Sequence, residues 1–256
     1  IAAAVAASVA APAAFADVSI YGNMHMGIED GVLNDNGSTL GFKGSEDLGN
    51  GMKAEFNTQL KFNSLASDTA ATSGGFASNG KKTYVGLSGD FGTVLLGRQY
   101  GPTKGFVGKM EIAGDTIADN GSYVAQETFK PGVSYSNSFG GVTVNALAYG
   151  TEVGDETDIG ISTKIGGATV GVSQDSAEDT TSVYASMTMD ALTVSAMMQD
   201  GDTKESQFLT ASYKMGANTI SVARYEKDVS GTETDTTNIV LSHALSKSTN
   251  VYFANE

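Results

Sequence analysis

STLGFKGSEDLGNGMKAEFNTQLKFN, residues 38–63, carries the side-chain alternation that decides the fold class. Its second half places two sets of side chains on opposite faces: Met52, Ala54, Phe56, Thr58, Leu60 and Phe62 against Lys53, Glu55, Asn57, Gln59 and Lys61. A period of two predicts a β-strand whose faces lie in unlike surroundings. Residues 40–43 alternate as well, and residues 48–51 close the pair as a tight hairpin. Such a long strand suits a tilted crossing of a bilayer.

The same alternation continues to the end of the chain and predicts about 15 antiparallel strands. Tight turns, such as those at residues 139–141 and 166–167, alternate with longer connections. The long connections are expected at roughly 29–37, 64–80, 101–127, 150–158, 174–180, 200–205 and 226–236. Short turns at one rim and longer loops at the other are typical of a transmembrane antiparallel up-and-down β-barrel. A β-sandwich would show Greek-key crossovers and mixed loop lengths.

The two ends of the sequence predict segments beyond the strands present. Residues 1–16 are almost entirely small and apolar, and they end in an A-x-A pattern before Asp17. This predicts a partial signal peptide cleaved between Ala16 and Asp17, with the barrel domain over residues 17–256. Because a bacterial single-chain barrel has an even number of strands, a closing sixteenth strand and its loop are expected after Glu256.

Composition narrows the function classes. The chain has 256 residues, no cysteine and a net charge of −14. Without cysteine there is neither a disulfide framework nor a thiolate metal site, and a strongly acidic chain argues against a nucleic-acid partner. Of the 29 acidic residues, 22 fall in the predicted long connections. These acids are simply solvated, or they attract cations, or they bind anionic lipid head groups through divalent ions.

Two segments resemble a known family. GFKGSEDLGNG, residues 41–51, and YVGLSGDFGTV, residues 84–94, are similar to strand hairpins of general diffusion porins of Gram-negative outer membranes, of the neisserial and proteobacterial type. Weaker similarities at residues 18–22, 97–99 and 245–249 follow in the family's order. The resemblance implies an outer-membrane barrel of sixteen strands, usually a homotrimer, whose water-filled pore is narrowed by an inward third loop.

That third loop, residues 101–127, is the longest predicted connection and needs a functional explanation. Its apolar residues are expected to pin it to a wall: Phe106, Val107, Met110, Ile112, Ile117, Tyr123 and Val124. Glu111, Asp115 and Asp119 recur at four-residue spacing, which on a helical turn would place them on one face. They are either an exposed acidic loop or an acidic lip in the pore constriction.

A transverse field across the pore requires basic residues on the facing wall. Lys43, Lys53 and Lys61 share the polar face of the quoted hairpin and are the first candidates. The resemblance adds Arg98, although strict alternation places it with Leu96 on the lipid side unless a bulge or the strand end redirects it. The family often has Arg where this chain has Thr39. The net charge and this loss of a basic residue together predict weak cation selectivity.

No catalytic residue, metal site or cofactor is expected, because the chain lacks hydrolase, zinc-protease and phosphate-loop motifs. The main hypothesis is therefore a passive channel for small hydrophilic solutes and ions, in contact with outer-membrane lipid and lipopolysaccharide. The alternative is an exported adhesin-like or surface-layer β-sandwich that binds a partner or serves a structural role. A sandwich would bury residues such as Val85, Leu87 and Phe56 against a second sheet.

Overall fold

The computed structural model describes residues 17–65, 75–114, 116 and 129–255. These residues form strands and one short helix, α1, between β7 and β8. The strands are β1 (Asp17–Asn23), β2 (Met26–Glu29), β3 (Val32–Asp35), β4 (Thr39–Gly49), β5 (Met52–Asn63), β6 (Gly75–Gly89), β7 (Gly92–Gln99), β8 (Lys130–Phe139), β9 (Val142–Tyr149), β10 (Glu156–Ile165), β11 (Ala168–Asp175), β12 (Thr180–Met189), β13 (Leu192–Gly201), β14 (Lys204–Met215), β15 (Asn218–Val229), β16 (Thr232–Ala244) and β17 (Asn250–Asn255); the helix α1 spans Pro102–Val107.

One antiparallel sheet contains 15 of the described strands, in the order β1-β4-β5 and then consecutively to β17. Apart from the pair β1–β4, every neighbour in this sheet is also a neighbour in the chain, and β2 pairs only with β3. The ladders therefore form an up-and-down meander without a Greek-key crossover. The all-β antiparallel prediction is confirmed, and the sandwich alternative is wrong for this arrangement of strands.

The two faces of the sheet differ in polarity. On one face, large apolar side chains remain open: Ile161 is 43% exposed, Val183 55% and Leu209 54%. On the opposite face, Tyr184 and Phe208 are each only 3% exposed, and buried polar side chains accompany them. An outward apolar surface over many strands is what a bilayer-facing barrel presents. The outer face is thus the apolar one, and the inner face carries the site.

The first strand is shorter than the alternation predicts. Alternation of Val18, Ile20, Met24, Met26 and Ile28 with polar residues predicts one continuous strand, but β1 ends at Asn23 and a separate hairpin, β2–β3, follows. The backbone N–H of His25 donates to Ser38 Oγ at 3.0 Å, and the N–H of Asn36 donates to the His25 carbonyl at 2.8 Å. These bonds take the chain out of the β1–β4 ladder.

Three of the predicted long connections are short. The connections predicted at 174–180, 200–205 and 226–236 shrink because the flanking strands continue, as in the ladder that runs up to Val229 opposite Thr232. Here charged side chains occupy both faces of the strands, so the polarity alternation ends while backbone pairing continues. Above the apolar belt both faces meet water, and the sequence pattern loses its contrast.

The tight turns predicted at residues 139–141 and 166–167 are confirmed, and both lie at the other rim. Gly140 and Gly141 have φ of 57° and 88°, and Gly166 and Gly167 have 57° and 89°. Two successive residues with positive φ match the right-handed twist of the strands they join. Among the described residues, no helix is long or apolar enough to cross a membrane.

Candidate functional site

The described part of the third loop packs against the inner face of the sheet. Phe106, Val107 and Met110 are 5%, 1% and 0% exposed. They form one apolar cluster with inner-face residues of β12 to β15, namely Tyr184, Met197, Phe208, Ala223 and Tyr225. Each buried side chain of this size contributes about 1.5–3 kcal/mol. The prediction that these loop residues pin the loop to a wall is confirmed for Phe106, Val107, Met110 and Ile112; Ile117, Tyr123 and Val124 lie outside the described residues.

Aromatic contacts fix the orientation of the loop. The rings of Phe106 and Tyr184 stack with centroids 5.5 Å apart and planes 7° from parallel. Phe208 and Tyr225 meet edge to face at 5.3 Å. Tyr225 Oη also donates a hydrogen bond to the Met110 carbonyl at 3.3 Å. The loop is therefore held to the wall by apolar contacts together with the Tyr225 hydrogen bond.

A buried carboxylate holds the start of α1. Asp158 on β10 is 3% exposed, and its carboxylate accepts the Thr103 backbone N–H at 3.0 Å and the Thr103 hydroxyl at 2.7 Å. The Ser173 hydroxyl lies 2.8 Å from Thr103 Oγ1 and donates to it, because the Thr103 proton is already used. The sequence pattern predicts Asp158 at the end of a long acidic connection; the structure instead places it buried on β10.

Two glycines make room for α1 in the wall. A Cβ added at Gly160 would lie 2.6 Å from Pro102 Cβ, and one added at Gly171 would lie 2.6 Å from the tip of the Phe106 ring. Real Cβ atoms essentially never approach so closely. Gly160 and Gly171 occupy inner-face positions of the adjacent strands β10 and β11. Glycines at inner-face positions of two neighbouring strands are the sequence signal that indicates an element packed closely against the wall.

Of the three predicted constriction acids, the structure places one. Glu111 follows α1 and forms an ion pair with Lys104 of the helix. Its side chain is 22% exposed, and that of Lys104 is 11% exposed. Asp115 and Asp119 lie outside the described residues. The shared acidic face therefore stays a prediction, and the charge of Glu111 is opposed by a neighbouring lysine.

The three predicted wall lysines lie at different heights on the inner face of β4 and β5. Lys43 Nζ is 5.4 Å from the centre of the Tyr21 ring, beside the Tyr21–Asn57 hydrogen bond of 2.7 Å. Lys61 stands opposite Thr39 near the long-loop end, and Lys53 stands opposite Asp47 beside the short turn. Lys43 and Lys61 thus lie nearer than Lys53 to the long-loop end of these strands.

Arg98 lies on the outer face. The ladders of β7 with both neighbours run through Gly97 without a register shift, pairing Arg98 with Thr83 and Pro131. Arg98 therefore shares the face of Leu96, which is 51% exposed. The assignment of Arg98 to the pore wall is wrong, because no bulge redirects it.

Two further lysines of β6 lie on the inner face, Lys82 by regular alternation from Tyr84 and Lys81 through a bulge that the sequence pattern does not predict. The β5–β6 register shifts between Thr58 and Leu60, so that both Lys81 and Lys82 stand opposite Gln59. Both lysines line a cavity of about 290 Å³ together with the following residues: Tyr21, Gly22, Asn23, Gly37, Thr39, Gln59, Tyr100 and Phe129. An extra residue changes the parity of the strand, and simple alternation cannot show this.

Aromatic rings line the same cavity. Tyr100 and Phe129 stack with centroids 3.8 Å apart. Lys82 Nζ and Lys104 Nζ lie 5.6 and 5.8 Å from the centre of the Tyr100 ring, within the range of cation–π attraction. The basic wall and the start of loop three therefore approach each other around Tyr100.

The long-loop ends of β14 to β16 carry a charged outer surface. Arg224 forms ion pairs with Glu226 at 2.8 Å and Asp235 at 2.7 Å. Further carboxylates line the same cleft, namely Glu205, Asp228 and Glu233. These side chains are about half exposed, so each pair contributes little stability, typically about 0–1 kcal/mol. Their effect is an acidic field at this rim.

Both histidines form hydrogen bonds with neutral side chains. His25 Nε2 lies 2.7 Å from Tyr252 Oη, and His243 Nδ1 lies 2.8 Å from Asn218 Oδ1. Within the described part of the chain, no group of three or more histidine or acidic side chains could hold a metal ion.

Sequence comparison matches residues 2–254 to the family described as Gram-negative porin. The major outer membrane protein P.IB of Neisseria gonorrhoeae is 36% identical over 109 residues, which cover 36% of this chain and 29% of that protein. The P.IB protein of Neisseria lactamica is 36% identical over 102 residues, covering 33% and 28% of the two chains. The matched segments thus span less than a third of these relatives.

Structure comparison extends the likeness to nearly the whole chain. An anion-selective porin from Comamonas acidovorans superposes with a TM-score of 0.69 at 23% identity, covering 93% of this chain and 87% of that one. A mutant of Rh. blastica porin gives 0.67 at 15% identity and covers 93% of each chain. At these identities the likeness shows the fold: the sheet is that of a porin barrel.

Proposed function

The chain belongs to the Gram-negative porin family, and from that premise we propose that it forms a water-filled channel through which small hydrophilic solutes and ions diffuse passively. It is a protein of the Gram-negative outer membrane and not an enzyme. No cofactor takes part in the proposed function.

The observation that carries the proposal is the inward position of loop three. Phe106 and Met110 are buried against the inner wall, while large apolar side chains of the same strands stay open on the outer face. A barrel with a polar interior conducts water and ions, and an element folded against its inner wall narrows the passage. Size selection then follows from the pose of loop three.

Weak cation selectivity is the proposed charge preference. It is supported by the net charge of −14 and by the acidic surface at the long-loop ends of β14 to β16. Glu111, Asp115 and Asp119 would form the acidic lip of the constriction, although Lys104 offsets the first of them. The opposing wall would carry Lys43 and Lys61, with Lys53 at the short-turn rim.

A second candidate, anion preference, is favoured by a specific observation. Strand β6 adds Lys82, and through its bulge also Lys81, to the inner wall near Tyr21, whose ring Lys43 approaches. The similar Comamonas acidovorans protein is described as anion-selective. If the passing ion follows this wall more closely than the acidic loop, the lysines decide the sign.

Reversal potentials across planar bilayers under a salt gradient test both candidates. Steady, ohmic conductance is expected, and the sign of the reversal potential should indicate a preference for cations. The magnitude of this potential should fall when Asp115→Asn and Asp119→Asn are combined. Asp190→Asn, in a short turn after β12, is the matched control and should change nothing. A wild-type potential of the opposite sign would select the anion candidate, and folded protein without conductance would refute the channel.

The proposed partners are outer-membrane lipid and lipopolysaccharide around the apolar face, and two further copies in a homotrimer. No nucleic acid is expected to bind. Residues 1–16 are proposed as the exported leader, with cleavage between Ala16 and Asp17. Light scattering of the detergent-extracted protein should give the mass of three chains, and the N-terminal sequence of the mature protein should begin at Asp17.

A further inference from the structure

Helix α1 receives no cap from its own segment. Gly101 precedes it and offers no side chain, and Pro102 opens it without an N–H. The next residue, Thr103, sends both its N–H and its hydroxyl to Asp158, 55 positions later in the chain. The Asp158 carboxylate on the channel wall thus caps the start of the helix, a role that a Ser, Thr or Asp next to the helix usually has.

The attachment is shielded from water. Asp158, Thr103 and Ser173 are 3%, 1% and 2% exposed. A hydrogen bond broken at such a place leaves buried polar groups without partners, which costs more than the loss of an exposed bond. Solvent does not replace the carboxylate without moving the helix.

From this geometry we propose that Asp158 is a positioning residue that fixes the start of loop three to the wall and thereby sets the width of the open channel. The inference rests on the proposed channel function. At the far side of the helix, Phe106 and Met110 keep their apolar contacts and the tie to Tyr225. Loss of Asp158 therefore releases the Pro102 end while the other end stays seated, and the helix swings about that seat.

A second buried carboxylate provides a matched control. Asp175 stands directly opposite Asp158 in the β10–β11 ladder and is 2% exposed. Its partners are the Tyr149 hydroxyl at 2.7 Å and the Ala177 N–H at 3.0 Å, neither of which belongs to loop three. The two acids lie at the same depth and are similarly buried. Asp158 bonds to loop three, whereas the bonds of Asp175 go to Tyr149 and Ala177.

The experiment compares Asp158→Ala, Thr103→Val and Thr103→Ser with Asp175→Asn in single-channel recordings. Asp158→Ala and Thr103→Val should raise the frequency of brief closures and the open-channel noise about tenfold. Thr103→Ser retains both donors and should behave as the wild type, as should Asp175→Asn. Wild-type noise and conductance in folded Asp158→Ala, or equal noise in Thr103→Val and Thr103→Ser, would overturn the proposal.

A second measurement does not depend on conduction. Amide hydrogen exchange in detergent should be at least about tenfold faster over residues 102–110 in Thr103→Val than in Thr103→Ser. Exchange over β12 to β15 should stay unchanged. If the wild type fails to conduct, the channel function is refuted, and this exchange result alone decides whether Asp158 positions the helix. If Asp158→Ala does not fold, the Thr103 pair carries the test.

Discussion

Gly160 shows how little space a single residue position leaves between wall and loop. Because a Cβ there would approach Pro102 to 2.6 Å, Gly160→Ala should push the start of α1 away from the wall at a cost of about 1–3 kcal/mol. We expect a lower thermal midpoint and an altered conductance. Gly105→Ala, where an added Cβ meets nothing within 4 Å, is the control. Equal behaviour of the two variants would mean that the wall does not confine α1.

Asp35 is a residue whose effect depends on pH. It lies in the loop hairpin, where Ser38 N–H donates to it at 2.8 Å and Ser64 donates through both its N–H, at 2.8 Å, and its hydroxyl. Burial alone would raise the pKa of Asp35, but the bonds from Ser64 and Ser38 outweigh it and hold the pKa well below the usual 3.8.

A pKa lowered by folding stabilises the protein above the unfolded-state pKa, and this contribution is lost as the pH falls through the folded-state pKa. Asp35→Asn should therefore lower stability at pH 7, by about 1.5–3 kcal/mol for a bond to a charged group. The difference from the wild type should shrink as the pH falls below 3.8. Thermal unfolding followed by circular dichroism measures both, and a difference that grows in acid would contradict the assignment.

Among the elements, β6 brings two basic side chains to the channel wall, Lys82 by regular alternation and Lys81 through the bulge. Lys82 stands near Thr39, a position without a basic side chain, and faces the start of loop three. A unit charge about 8 Å from a passing ion in water changes its energy by about 0.5 kcal/mol, which is roughly a twofold change in permeability ratio. At low salt, Lys82→Met should therefore change the permeability ratio about twofold in favour of cations, and the shift in reversal potential measures this change.

Lys53→Met removes the same charge at the short-turn rim, opposite Asp47, and should have a smaller effect. If both variants shift the potential equally, overall charge rather than the position of the lysine on the wall sets the selectivity. Comparing 0.1 M with 1 M salt, where screening shortens from about 10 to 3 Å, distinguishes a local wall effect from a diffuse one.

The elements also show what a sequence pattern can reveal. Strands such as β5 were predictable because lipid and water on opposite faces demand opposite side chains. The extensions of β15 and β16 were not, because both of their faces meet water, and the bulge at Lys81 was not, because one extra residue reverses the parity. Asp158 resembled any acidic loop residue, since its partner Thr103 is distant in sequence and close only in the folded chain.

At the scale of the whole molecule, the outer apolar face should tolerate no charge at mid-depth. Ile161 faces outward in the middle of β10 and is 43% exposed. Ile161→Arg should destabilise the membrane-inserted protein by about 2–4 kcal/mol. Ser162→Arg, one residue further on, points to the inner face and should cost much less. Denaturant unfolding in lipid vesicles measures the difference; equal costs would contradict the assignment of the faces.

The meander sheet also constrains the order in which the molecule assembles. Almost all ladders join strands that are adjacent in the chain, so each strand can pair as soon as its neighbour is in place. Loop three is different, because its partners lie far along the chain. Thr103 bonds to Asp158, and the Met110 carbonyl accepts a bond from Tyr225, 115 residues later. The loop can reach its final seat only after β15 has joined the sheet, so the passage acquires its narrow section late in biogenesis.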